Sequence, residues 1–167
     1  HERSSAASDV YKRQKKMSAE KNLSKLNINL PKAPDPVGSY VASKIVGNLI
    51  YISGQVSFNS KGELTKGKIG KELSLEQGQD AAKLCALNIL AQLKKKCGNL
   101  DKVKGCIKLT GYVNSTDSFI DQPKVLNGAS DLISKIFGDG GKHTRAAISV
   151  SSLPLGAAVE VDGIFEL

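Results

Sequence analysis

The sequence predicts an α+β fold: one sheet layer with helices on one of its faces. Two observations carry that expectation. Apolar residues recur at helical spacing in two windows, about 74–98 and 122–137, whereas the segments around them alternate with a period of two. Gly, Pro and Asn punctuate the changes of period, so the element order reads β-β-(β)-α-β-α-β-β. A chain of 167 residues with 40% hydrophobic content holds one domain of ordinary size.

The elements follow in order. Pro31, Pro34 and Pro36 keep the chain extended as it enters the first strand, so the folded domain is expected to begin near Leu30. Tyr40 to Val46 and Asn48 to Val56 are rich in β-branched, aromatic and aliphatic residues, with Gly47-Asn48 as the turn of a hairpin. Leu49-Ile50-Tyr51-Ile52 is apolar on both alternating faces, which calls for cover on two sides, one a helix and the other open to a partner subunit. Ser74-Leu75-Glu76-Gln77 has the form of a capping box. Ala82, Ala86, Leu90, Leu93 and Cys97 then make an apolar stripe that Gly98 closes. Val103 to Val113 alternates as a strand, a second helix runs from about Gln122 to Phe137, and Gly138-Asp139-Gly140-Gly141 stops it. Two last strands, Thr144 to Val150 and Ala157 to Phe165, flank Leu153-Pro154 and Gly156.

The residues before the only methionine, Met17, lack hydrophobic periodicity. Residues 1–16 read as a disordered leader or extension, 17–29 as a polar N-terminal segment and 30–167 as the domain. A mitochondrial transit peptide is the alternative for the leader, though Glu2, Asp9 and Glu20 interrupt its basic pattern. The formal charge of +8 divides unevenly: residues 1–27 hold seven basic groups against three acids, so half of the excess lies in the tail. The remaining domain is only mildly basic, which weakens any nucleic-acid reading. No apolar run reaches the roughly 18 to 20 residues of a membrane-spanning helix. Cys85, Cys97 and Cys106, odd in number and set on apolar segments, read as buried reduced thiols in a reducing compartment, with the cytoplasm the first expectation.

Several chemistries fail for want of residues. There are two histidines, His1 and His143, and no Cys-x-x-Cys or His-x-x-x-His spacing, so a metal centre is not expected. A nucleophile-histidine system would rest on His143 alone, which reads as a strand-edge residue, and no Gly-x-Ser-x-Gly elbow surrounds a serine. The glycines before Lys142 do not complete a phosphate loop, because His143 follows and a strand, not a helix, comes next. What remains is a scattered polar set: Tyr40, Ser53, Asn127, Arg145 and Glu160. Each has a plain reading. Arg145, on a face with Ala147 and Ser149, can lie in solvent as most arginines do; Glu160, with Asp162, can be a solvent-facing acid; Asn127 can cap backbone and Tyr40 can be core.

At these residues the sequence resembles the Rid (reactive intermediate deaminase, YjgF-like) family from about Leu30 to Leu167. The matching blocks are Ser39-Tyr40-Val41, Gly47-Asn48 through Ser53-Gly54-Gln55, Leu87-Asn88-Ile89, Val125-Leu126-Asn127, and Arg145 through Leu153-Pro154 to Val159-Glu160-Val161. The resemblance implies a chorismate-mutase-like mixed sheet with two helices on one face, and a homotrimer in which three sheets line a central barrel. It implies a small-acid site between subunits that hydrolyses reactive 2-imino or enamine acids, such as 2-iminopropanoate and 2-iminobutanoate, to 2-oxo acids and ammonia without a cofactor, a form of metabolite damage control.

Carried over residue by residue, Arg145 holds the substrate carboxylate, for which its planar two-pronged donor suits better than lysine. Glu160 orients water or relays a proton. Backbone N–H groups at Gly54 and Ala147 complete a polar cradle, with Tyr40, Ser53 and Asn127 as orienting groups. The sequence departs from the family pattern at Ala147, where the deaminase branch often has cysteine, and at Asp121-Gln122-Pro123-Lys124 and the Leu30-to-Pro34 entry, which point to a longer subgroup. Two other readings compete: a non-catalytic site for a small carboxylic acid, and an endoribonuclease or translation inhibitor. The last has against it few aromatics, no basic stripe and no histidine pair.

Overall fold

The computed structural model describes residues 18–167. The reading of 1–16 as a leader ahead of Met17 lies outside the described residues. Five strands, β1 (Ser43–Val46), β2 (Leu49–Val56), β3 (Gly105–Asn114), β4 (Thr144–Val150) and β5 (Val159–Glu166), and three helices, α1 (Ala19–Lys25), α2 (Leu75–Cys97) and α3 (Gln122–Phe137), make the fold.

The sheet order is β1-β2-β5-β3-β4. All neighbours are antiparallel except β3 and β4, which run parallel because α3 carries the chain back between them. One sheet face packs against helices. Ile50, Ile52, Leu109, Val113, Val161 and Phe165 are buried on it beside Ile89, Leu90, Leu126 and Ile133 of α2 and α3. The opposite face leaves Tyr51, Ile107 and Ile148 more than 40% exposed. Among the described residues, the two-sided apolar strand at 49–52 is therefore covered on one side only.

Local chemistry explains the helix positions. The capping box of α2 is complete: Ser74 Oγ accepts from Gln77 N–H at 3.1 Å, and Gln77 Oε1 accepts from Ser74 N–H at 2.9 Å. Helix α3 begins with Pro123 in its first turn and stops at Gly138, whose φ is 58°. It sits tightly on the sheet because Gly111 of β3 has no side chain where a Cβ would come within 2.1 Å of Leu126.

Three features differ from the expectation. The expected pair of helices is joined by a third, α1, in the segment read as polar: Ala19, Asn22 and Leu23 are buried, and Asn22 donates to the Ile136 carbonyl at 2.8 Å. Seven residues with two buried apolar positions are too few for a helical period to show in sequence. The bracketed third strand is reduced to isolated bridges made by residues 58–73, such as Phe58 with Leu64 and Lys66 with Ala157. Cys97, placed with the buried thiols, is half-buried, while Cys85 and Cys106 are buried; all three are free.

Candidate functional site

Two clusters of the polar set form, on opposite faces of the sheet. The first grows from an irregularity in β2. Its register against β5 shifts between Ile52, opposite Gly163, and Gln55, opposite Val161, so Ser53 and Gly54 face a single residue, Asp162. Ser53 uses the slack to tie down the entry segment: its Oγ donates to the Val41 carbonyl at 2.6 Å and its N–H to the Ala42 carbonyl at 3.0 Å. Gly54 gives room to an acid. A Cβ there would lie 2.0 Å from Oε1 of Glu160, so the Glu160 carboxylate rests directly on the glycine backbone.

Tyr40, Ser53, Gly54 and Glu160 line one open cavity of about 1020 Å³, whose walls are mainly apolar, with Val37, Val41 and Leu155 among them. Leu155 stands in the left-handed region at φ 61°, a conformation rare for a branched side chain. Tyr40 is half exposed and its hydroxyl accepts from Val37 N–H at 3.3 Å, so it is not a core residue. Burial pushes the Glu160 carboxyl above the ordinary carboxylate range, and the like charge of Asp162 on the same face pushes in the same direction. Asp162 itself accepts from the Tyr112 hydroxyl at 3.0 Å. Burial and this bond to Asp162 raise the Tyr112 hydroxyl pKa in turn.

The second cluster lies at the β4 edge, on the helix face. Arg145 is paired with Leu109, whose side chain is buried under the helices, so its guanidinium turns toward α3 and not into open solvent. Nη1 donates to Asn127 Oδ1 at 2.9 Å and to Ser130 Oγ at 3.1 Å, and Nη2 donates to the Pro123 carbonyl at 3.3 Å. Three of the five guanidinium N–H groups are thereby engaged within the described residues. Nε–H and one Nη2–H are left, a pair able to grip a carboxylate side-on. Asn127 thus orients Arg145 where a backbone cap was one of its readings. Ala147 lies two residues along the same face, partly packed on the core.

The two clusters do not meet within one chain. Glu160 is paired across the sheet with Tyr112, on the face away from the helices, and Arg145 with Leu109, on the face toward them. Two residues of the second cluster, Ser130 and His143, were absent from the sequence set. Ser130 stands one helical turn after Asn127 and His143 two residues before Arg145 on its strand line, spacings that place them beside the arginine once it is known to face α3. Among the described residues no group of three or more His, Cys, Asp or Glu is arranged to hold a metal, and no helix is long and apolar enough to cross a membrane.

Comparison with known proteins adds to this geometry. The family described as "YjgF/chorismate_mutase-like, putative endoribonuclease" matches residues 20–167. Protein TCP17 of Trypanosoma cruzi is 45% identical over 147 residues, 87% of this chain and 92% of that one. A 2-iminobutanoate/2-iminopropanoate deaminase of Rattus norvegicus is 29% identical over 82% of this chain and 86% of its own length. The crystal structure of a protein of unknown function from Agrobacterium tumefaciens superimposes with a TM-score of 0.82 at 41% identity, covering 95% of this chain and 99% of that one.

Proposed function

Because this chain belongs to the YjgF/chorismate mutase-like family, whose relatives include 2-iminobutanoate/2-iminopropanoate deaminases, we propose that it hydrolyses reactive 2-imino acids to 2-oxo acids and ammonium. The observation that carries the reading is Arg145, held by Asn127, Ser130 and Pro123 with a side-on pair of donors to spare. Such a pair matches a planar carboxylate in both geometry and charge.

With the carboxylate anchored, the protonated imine carbon is electrophilic without further activation. Water adds to it, and one proton of that water passes by way of Glu160 to the nitrogen, leaving a hydroxyl and an ammonio group on the same carbon. As the C–N bond breaks, the hydroxyl oxygen forms the C=O bond and its proton passes by way of Glu160 to the departing ammonia, giving a 2-oxo acid and ammonium. A carboxyl whose proton affinity is raised by burial and by Asp162 suits this exchange better than an ordinary exposed glutamate. Gly54 presents backbone beside that acid, and the apolar walls around Val41 and Leu155 suit an aliphatic side chain on the substrate.

Since Arg145 and Glu160 lie on opposite sheet faces, the complete site in this reading is shared by two copies in a homotrimer. The exposed apolar face at Tyr51, Ile107 and Ile148 supports such an assembly. The test generates 2-iminobutanoate in the cuvette and follows its capture by semicarbazide. The native protein should diminish the captured imine, and Arg145→Ala should lower kcat/KM roughly 10- to 100-fold, the worth of a lost charge-assisted pair. Binding of 2-oxobutanoate without any acceleration would replace the deaminase with a small-acid sensor, and cleavage of RNA by the same preparation would favour the endoribonuclease reading.

A further inference from the structure

We infer that His143 and Ser130 form a positioning relay that fixes the Arg145 guanidinium with its free donor edge outward, and that His143 does so as one defined neutral tautomer. The Gly141 carbonyl fixes the position of one ring proton, and the neutral ring proposed here fixes the rest. His143 Nδ1 lies 2.6 Å from the Gly141 carbonyl oxygen, which can only accept, so Nδ1 carries the proton. In the neutral ring Nε2 is then a lone pair. Ser130 Oγ lies 2.9 Å from Nε2, so the serine hydroxyl donates to it. Having spent its one proton on the ring, Ser130 Oγ faces Arg145 Nη1 at 3.1 Å as an acceptor, which is what a guanidinium needs. Each bond polarises the next in the same sense, from arginine through serine to the imidazole.

The relay is anchored at both ends. Gly141 is buried, and a Cβ on it would approach Ser134 Cα to 2.7 Å, so the carbonyl that selects the tautomer is fixed against α3. At the other end Pro123, Asn127 and Ser130 occupy one face of α3 at spacings of four and three, and all three accept from Arg145. Asn127 and Ser130 together take both Nη1 hydrogens. Removing either lets the guanidinium turn about its terminal bonds and swing the free edge away. His143 has both ring nitrogens engaged, so it acts through Ser130 as a positioning residue and not on substrate.

The consequence for substrate rests on the deaminase reading; the relay itself does not. The experiment is nuclear magnetic resonance on the full chain at neutral pH, with Ser130→Ala, His143→Leu and His143→Gln beside the native protein. Glutamine can offer an acceptor to Ser130 where leucine offers none. Nitrogen shifts of the His143 ring should show Nδ1 protonated and Nε2 bare. The heteronuclear NOE of Arg145 Nε should be high in the native protein and in His143→Gln and low in His143→Leu and Ser130→Ala. Affinity for 2-oxobutanoate should fall about five- to tenfold in the latter two and stay within about twofold in the glutamine variant. An Nε2-protonated ring, or a rigid Arg145 in both His143→Leu and Ser130→Ala, overturns the relay. Should His143→Leu fail to fold, Ser130→Ala, which removes a single oxygen, decides alone. A mobile Arg145 in those variants with no 2-oxo acid bound by any protein, native included, keeps the relay and discards the deaminase.

Discussion

Glu160 and Gly54 show how one backbone position controls one acid. The carboxylate lies where a side chain at 54 would stand, within 2.0 Å of its Cβ, and the register shift in β2 keeps that position out of regular pairing with β5. Gly54→Ala should therefore drive the Glu160 carboxyl out of its place while leaving the strand paired on either side. Imine hydrolysis is expected to fall by roughly 100-fold, the scale of an acid/base contribution, with only a small loss in melting temperature. Activity assay and thermal melt on the same preparation check this. A melt lowered as much as the activity would mark Gly54 as a folding residue instead.

At the scale of elements, the contact between α2 and α3 sets where Arg145's partners stand. Gly128 of α3 approaches the Gln79 backbone so closely that a Cβ would lie 2.0 Å from its carbonyl oxygen. In an exposed helix, Gly to Ala gains about 1 kcal/mol in propensity. Here the overlap is with backbone, which cannot rotate away, so the two helices must separate at a cost of about 1–3 kcal/mol. The overlap should win: Gly128→Ala is expected to lower stability to urea, read as a lower midpoint with an unchanged slope. Because Asn127 and Ser130 flank that glycine, the same variant should weaken binding at Arg145.

At the scale of the whole molecule, the open sheet face and the separation of Arg145 from Glu160 point to the same arrangement. A subunit that exposes Tyr51, Ile107 and Ile148 on one side of its sheet has an apolar surface to bury. In the proposed reading, the site divided between sheet faces is completed by a neighbouring copy. Mixing Arg145→Ala and Glu160→Gln chains, each strongly impaired alone, should raise activity to about a quarter of the native value after unfolding and refolding together, because one interface in four then pairs two intact halves. No recovery from mixed assemblies whose composition is verified by mass would place both residues in a site within one chain.

Much of this architecture is legible in the sequence. The helix at 122–137 has its apolar period, its early proline and its stopping glycine all in one window. The helix from Ser74 declares itself through a capping box that acts over three residues. These signals are local, so the chain carries them wherever it folds. The polar set around Tyr40, Ser53, Asn127, Arg145 and Glu160 could be named from its residues and from the resemblance they carry. Which way each points could not. A period of two assigns residues to alternate faces of a strand but does not say which face meets the helices, and β4, whose alternation is mild, gives no hydrophobic contrast to decide it. Only the packing of α3 over β3 and β4 turns Arg145 toward Asn127 and Ser130 and brings His143 behind them. Only the antiparallel pairing of β2 with β5 sets Glu160 on Gly54, a contact between residues 106 positions apart in the chain. Local periodicity therefore determined the elements, and long-range strand pairing decided which side chains share a site.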